Sequence, residues 1–105
     1  MTQRKHEYKF RSLDLAVEFC QKVKLLKLPI HLRDQMLRAS SSVALNLAEG
    51  SGKPSPKDKR RFYFISLGSL RECQAILRIE DVDDLELIDL ADHLGASIYK
   101  LALAT

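Results

Sequence analysis

The sequence predicts an all-α protein, an antiparallel up-and-down four-helix bundle formed by residues 1–105 as a single domain. Apolar residues recur at helical spacing in four segments, and no segment alternates apolar and polar residues as a strand would. Glycine and proline number only four and three, too few for an all-β or a disordered chain. The segments are joined by short connections, which favour antiparallel neighbours.

Capping and turn residues set the limits of these helices. The predicted helices cover residues 12–27, 30–49, 56–79 and 84–104. Ser12 and Ser55 are predicted N-caps, and Asp83 with an acid three residues later predicts a capping box for the fourth helix. Pro29 ends the first helix because the residue before a proline avoids the helical region. Gly50 is predicted just beyond the second helix, in the left-handed conformation that glycine adopts without penalty.

The second and third helices are each apolar on two flanks. The flanks of the second helix are Leu37, Ser41, Ala44 and Ala48 on one side, and Leu32, Met36, Ala39, Val43 and Leu47 on the other. Those of the third are Phe62, Ile65, Cys73 and Ile76, and Tyr63, Leu67, Leu70 and Leu77. A helix in an isolated bundle needs one apolar stripe, so we expect a homo-oligomer in which another copy covers the second flank. The alternative is a monomer with a thick core and scattered exposed leucines.

Charge is distributed unevenly along the chain. Residues 1–61 contain 14 Lys/Arg against 6 Asp/Glu, whereas residues 62–105 contain 3 against 8. This asymmetry favours either a basic face for an anionic partner or attraction between helices or subunits of opposite charge. No apolar run could span a membrane and no signal peptide opens the chain, so we expect a cytoplasmic protein. Cys20 and Cys73 fit no zinc or redox spacing and are expected to be buried free thiols.

The sequence contains no motif for catalysis, metal binding or cofactor binding. His6, His31 and His93 lie on three different predicted elements, without the His or Glu spacing of a zinc or di-iron site. Gly50 and Gly52 do not belong to a phosphate-loop pattern. We therefore expect neither an enzyme nor a cofactor.

A narrow polar stripe runs along the second helix. At about 100° per residue its members fall within an arc of about 80°. They are Gln35, Arg38, Ser42, Asn46 and Glu49. The stripe is either the solvated face of the helix or a partly buried polar network. Asn46 is a poor interior helix former and Glu49 opposes the helix dipole, so a specific partner would explain both choices. If Asn46 is buried and hydrogen-bonded, replacing it by Ala should cost about 1–3 kcal/mol.

Two blocks of sequence resemble the family of proteins encoded in bacterial 23S rRNA intervening sequences. Residues 35–50 read QMLRASSSVALNLAEG, and the family pattern is close to Q-x-x-R-A-x-x-S-[IV]-x-x-N-[IL]-A-E-G. Residues 58–72 read DKRRFYFISLGSLRE, against E-x-x-R-F-x-x-I-A-x-G-S-L-x-E. This sequence departs at Asp58 and Ser66, where the family has Glu and Ala, and at Lys53, which is shifted by one position from the family's base.

The resemblance implies a four-helix bundle that assembles into a ring, with five copies as the favoured number. It also implies a structural or assembly role for a polar network. The motif positions of that network are Gln35, Arg38, Ser42, Asn46, Glu49, Ser69 and Glu72. The family is similar to the accessory protein of diversity-generating retroelements, whose basic surface binds nucleic acid and a reverse transcriptase.

Two functions are compatible with these observations. The first is a non-enzymatic scaffold that binds nucleic acid, structured RNA before DNA, through a basic run at the junction of the second and third helices. That run, hereafter the basic surface, consists of Lys53, Lys57, Lys59, Arg60 and Arg61. Tyr63 and Phe64 lie nearby and either stack on bases or serve as core or interface residues. The second is an interaction module that docks another protein, for example a polymerase, on the surplus apolar faces.

Overall fold

The computed structural model describes residues 10–105, which form four helices and contain no strand. The helices are α1 (Arg11–Val23), α2 (Ile30–Ser51), α3 (Pro56–Ile79) and α4 (Leu85–Ala104). Each helix packs against two others, in the cyclic order α1, α2, α3, α4 and back to α1. The predicted all-α antiparallel four-helix bundle is confirmed. Residues 1–9, which include His6 and three of the bases counted above, lie outside the described residues.

The core is a single cluster to which all four helices contribute. Its largest fully buried side chains are Phe19 of α1, Met36 and Leu47 of α2, Leu70 of α3, and Leu87, Leu94 and Ile98 of α4. Removing each such side chain from water contributes about 1.5–3 kcal/mol to stability. Two further leucines, Leu26 and Leu28, pack against this cluster from the connection between α1 and α2.

The first helix differs from its prediction at both ends. It begins at Arg11, one residue early, and no side chain caps it. The predicted cap, Ser12, is instead buried, and its hydroxyl lies 2.6 Å from the hydroxyl of Ser97 on α4. The helix ends at Val23 rather than at residue 27, and the N–H groups of Leu25 and Leu26 donate to carbonyls three residues back, which tightens the last turn.

The junction between α2 and α3 depends on a close approach at Gly50. The prediction of a left-handed Gly50 beyond the helix is wrong, because α2 continues to Ser51 and no described glycine has a positive φ. A Cβ atom at Gly50 would lie 2.9 Å from both Phe62 Cβ and Tyr63 Cε1. Glycine is therefore required here by contact with α3. The Ser55 cap is confirmed, since its side chain accepts a hydrogen bond from the backbone N–H of Asp58 at 3.1 Å.

The turn between α3 and α4 has the hydrogen bonds of a Schellman motif. Asp81 adopts a left-handed conformation with a φ of 49°, and its N–H donates to the carbonyl of Arg78. The N–H of Val82 donates to the carbonyl of Leu77 at 2.9 Å. The N-cap of α4 is Asp84, which accepts from Leu87 N–H at 3.1 Å, so the prediction of Asp83 was wrong by one residue.

Most of the two apolar flanks of α2 and α3 pack within this one chain. Cys73 and Ile76 are buried, and Leu37 and Ala44 pack against the core. Each helix has two helical neighbours, so a wide apolar face is satisfied without a second copy. What stays outside is smaller than predicted: of the flank residues, Ser41, Ala48 and Ile65 are exposed. Leu45, Phe64 and Gly68 are exposed beside them.

Candidate nucleic-acid interface

The basic surface lies at one end of the bundle, where α2 ends and α3 begins. Because the helices are antiparallel, the start of α1 and the end of α4 lie at the same end. The opposite end contains the turn between α3 and α4, hereafter the acidic turn. Its carboxylates are Glu80, Asp81, Asp83, Asp84 and Glu86. The basic surface and the acidic turn therefore lie at opposite ends of the molecule, and Lys22, Lys24 and Lys27 share the end of the acidic turn.

Two of the five bases hold the junction together. The Lys53 ammonium lies 3.0 Å from the Glu49 carboxylate and 5.1 Å from the centroid of the Phe62 ring. The Lys59 ammonium donates a 2.9 Å hydrogen bond to the backbone carbonyl of Ser51. This carbonyl is one of the last four of α2, which have no partner within the helix. Lys53 and Lys59 are both half-buried. Lys59 ties the start of α3 to the end of α2, and Lys53 supports the turn between the two helices.

The other three bases point to solvent. Lys57, Arg60 and Arg61 are exposed, and the Arg61 guanidinium lies 5.1 Å from the Phe62 ring centroid. Lys57 and Arg60 form no hydrogen bond or ion pair with any residue of the described chain. These two side chains are free to contact an anion without breaking a contact within residues 10–105.

The polar stripe of α2 faces α3 across a shallow groove of about 450 Å³. The groove is lined by Gln35, Arg38, Ala39, Ser42, Ser69 and Glu72. Six of the seven predicted network residues thus lie in it or beside it, and the seventh, Glu49, pairs with Lys53 as described above. The stripe is partly a hydrogen-bonded network and partly a solvated face. Most of its residues form hydrogen bonds, but Gln35 and Arg38 on α2 and Glu72 opposite them on α3 are exposed.

The hydrogen bonds of the groove are of two kinds. Two connect the helices: Gln35 Nε2 donates to Glu72 Oε2 at 2.9 Å, and the Ser42 and Ser69 hydroxyls lie 2.8 Å apart. Asn46 instead bonds within its own helix, donating to both the carbonyl and the hydroxyl of Ser42 at 2.9 Å. Arg38 lines the groove without forming an ion pair or hydrogen bond with residues 10–105.

A fourth hydrogen bond between α2 and α3 was not predicted from the sequence. Ser66 is fully buried, and its hydroxyl donates a 2.7 Å hydrogen bond to the carbonyl of Val43. The sequence contained one signal for it: Ser66 lies between core residues, where a buried hydroxyl needs a hydrogen-bond partner. Together with the close approach of Gly50, it makes the α2–α3 pair the most closely tied part of the bundle.

Of the two free thiols, Cys73 is buried as expected, whereas Cys20 is half-buried. Burial raises the pKa of Cys73 to about 12, and burial also raises the pKa of the half-buried Cys20, whose thiol lies 3.0 Å from the Ser40 carbonyl. No Cα atom of α1 lies within 8 Å of one in α3, so the two cysteines are further apart than the roughly 7 Å limit of a disulfide. Neither thiol has the lowered pKa of a reactive cysteine.

Residues 10–105 contain no group of three or more His, Cys, Asp or Glu residues that could hold a metal ion. His31 and His93 are exposed and lie on α2 and α4. In the same residues, no helix is both long enough and apolar enough to cross a membrane.

The fold and this site define an all-α bundle with a basic end and a polar groove between its second and third helices. The chain belongs to the family of 23S rRNA-intervening sequence proteins, whose model matches residues 4–102. The match covers the first three helices, all but the last two residues of α4, the basic surface and the groove. A search of curated proteins found no match to this chain.

Proposed function

We propose that this protein is a non-enzymatic, cytoplasmic scaffold that binds nucleic acid, structured RNA in particular, through its basic surface. The observation that carries the proposal is the group of exposed bases at one end of the bundle. Lys57 and Arg60 have no partner within the described residues, and Arg61 is exposed beside them.

The position of these bases argues against a role in helix stability. Pro56 occupies the first turn of α3, and Lys57 follows it directly. The positive end of the helix dipole lies there, so a cation gains nothing from this placement. Asp58 is the one acid between Lys53 and Arg61, and its carboxylate forms no ion pair with residues 10–105. Exposed cations without an acidic partner suit phosphate contact, which neutralises them in a complex.

Affinity from phosphate contact grows when several copies of the surface act together. We propose that the protein forms a homo-oligomer through the outer face of α2 and the side of α3 next to it, where Ile65 precedes Ser69 and Glu72 by four and seven residues. Leu45 is 68% exposed there and Ile65 42%, and each would be covered by another copy. The family resemblance favours a ring of five. Such a ring would repeat the basic surface once per copy, so that weak sites together bind strongly.

The choice of RNA rests on the family name, which refers to an intervening sequence of an RNA. No base-reading motif accompanies the basic surface in the sequence, so the proposal involves the phosphate backbone and not a specific sequence. DNA of equal length is the natural competitor in the test.

The test is a double charge reversal, Lys57→Glu with Arg60→Glu. We expect it to abolish binding of RNA in a gel shift while light scattering on the same samples gives an unchanged mass. Binding by the unmodified protein should fall with salt, with a log–log slope of about −0.7 to −0.9 per phosphate neutralised. The matched control is Lys24→Glu with Lys27→Glu, which makes the same change in charge at exposed residues of the opposite end.

Three results would contradict the proposal. If the Lys24 and Lys27 control loses RNA binding to the same extent, net charge and not the basic surface is responsible for binding. A lower mass in the Lys57 and Arg60 variant would mean that the bases pair subunits. Absence of binding to both RNA and DNA at low salt would favour the alternative, a module that docks a protein on the apolar faces of α2 and α3. That docking should change little with salt.

A further inference from the structure

Three consecutive aromatic residues begin α3, and the structure gives them three different environments. Tyr63 is buried, with its ring 6.3 Å from that of Phe10 in an edge-to-face contact. Phe62 is half-buried under the cations of Lys53 and Arg61. Phe64 is 40% exposed and makes no ring or cation contact with the described residues. Tyr63 is therefore excluded as a base-stacking residue, whereas the ring of Phe64 is accessible.

Helical spacing places Phe64 next to the free bases of the basic surface. Arg60 and Arg61 precede it by four and three residues and Lys57 by seven, so all of them share one side of α3. A rise of 1.5 Å per residue puts Lys57 about 10 Å from Phe64 along the helix axis. Side chains in a helix lean towards its N-terminus, so the Phe64 ring covers the turn that carries Arg60 and Arg61.

We propose that Phe64 is a stacking platform for an unpaired nucleobase, and that the ligand class of the basic surface is therefore nucleic acid with single-stranded segments. This inference rests on the proposed function. Phosphates on either side of the stacked nucleotide would contact Lys57 and Arg60, and the base would lie on the ring. In a duplex the bases are already stacked on one another, so only a loop, bulge or end could use the ring.

A phenylalanine offers a base no hydrogen bond, so the platform accepts any of the four bases. This agrees with a sequence that contains no base-reading motif. It also makes a structured RNA with unpaired loops a better ligand than a continuous duplex. The rival occupant of this ring is a second copy of the chain, because Ile65 and Gly68 lie next to it on the same outer surface.

The chain contains no tryptophan, so Phe64→Trp introduces a single indole at the proposed site. We expect its fluorescence to be quenched by a single-stranded RNA oligonucleotide and to stay unchanged with a duplex of the same sequence at saturating concentration. Phe64→Leu keeps an apolar side chain but removes the aromatic face. It should weaken single-strand binding by about 5- to 100-fold and leave duplex binding and native mass unchanged.

The control is Tyr99→Ala, which removes a ring of similar exposure, 49%, from α4, a helix whose one base is Lys100. Tyr99→Ala should leave the affinities for single-stranded RNA and for the duplex unchanged. The inference is overturned if Phe64→Leu lowers single-strand and duplex binding equally, or if the indole is not quenched, although the proposed function then survives. A changed mass in Phe64→Leu would assign the ring to contacts between copies and also overturn it. If the unmodified protein binds neither single-stranded RNA nor the duplex, both the proposed function and the inference about Phe64 fail.

Discussion

The two helix junctions on either side of α3 solve the same geometric problem in different ways. The junction from α2 contains two glycines, yet neither adopts a left-handed conformation, and one of them lies inside the helix against α3. The junction to α4 contains no glycine, yet its chain reversal uses a left-handed residue, Asp81. Gly50 therefore allows a close approach of α2 and α3, whereas an acid, Asp81, makes the chain reversal at the other junction.

The junctions also differ in how their charges are used. In the basic surface, Lys53 and Lys59 contact the end of α2 or its carbonyls, whereas Lys57 and Arg60 contact nothing described. In the acidic turn, Asp84 caps α4, and Glu86 lies 3.3 Å from Lys22 of α1. Some charges at each junction are therefore present because they stabilise the fold. Lys57 and Arg60 make no such contact, so they are the bases available to a ligand.

The largest effect on stability is expected at Gly50, the close contact of the first junction. Gly50→Ala would place a Cβ atom 2.9 Å from Phe62 Cβ, an atom that cannot move without shifting α3. We expect a loss of about 1–3 kcal/mol in the free energy of unfolding, measured by urea denaturation. Gly52→Ala in the same junction is the control, because Gly52 has a φ of −89° and no atom would lie closer than 3.6 Å to the new methyl group. It should stabilise the protein by about 0.4–1 kcal/mol, because alanine loses less conformational entropy on folding. Equal effects of the two substitutions would contradict a contact role for Gly50.

The second prediction concerns the left-handed residue of the acidic turn. Asp81→Gly removes the strain of a Cβ atom at a φ of 49° while keeping the Schellman hydrogen bonds. We expect a gain of about 0.5–1 kcal/mol in the free energy of unfolding by denaturation. Asp83→Gly removes the same charge from the same turn at ordinary φ, so any gain there would come from relief of charge repulsion. If both variants gain equally, backbone strain is not the cause.

The sequence predicted the helices because their signals are local. Helical spacing of apolar residues and the caps at Ser55 and Pro56 depend on neighbours in the chain, and α3 has the predicted limits. The errors arise where distant contacts decide. Ser12 was expected to cap α1 but bonds to Ser97, and Gly50 was expected to end α2 but packs on α3. No local pattern contains either partner.

The sequence predicted which residues line the groove between α2 and α3, but not which hydrogen bonds they form. Helical angles alone placed Gln35, Ser42 and Asn46 on one stripe, whereas the residues that face them on α3 came from the family motif. The partner of each side chain depends on the register of two helices, which the sequence of one helix does not contain. The apolar flanks were overestimated for a related reason: a helix between two neighbours buries more than one stripe within its own chain.

The smallest predicted effect is at Asn46, and it revises the cost of 1–3 kcal/mol expected for a buried asparagine. Both hydrogen bonds of its amide go to Ser42 of the same helix, and the Ser42 hydroxyl keeps Ser69 as a partner when Asn46 is replaced by Ala. No polar group is orphaned, so the loss is that of ordinary hydrogen bonds, about 0.5–1.5 kcal/mol. Alanine recovers roughly 0.5 kcal/mol of helix propensity, which leaves a net change below about 1 kcal/mol in urea denaturation. Ser42→Ala is the comparison and should cost more, because it removes the hydroxyl that joins Asn46 to Ser69. A loss above about 2 kcal/mol in Asn46→Ala, together with a lower native mass, would mean that another copy of the chain holds this amide, and the α2–α3 groove would then be part of the assembly contact.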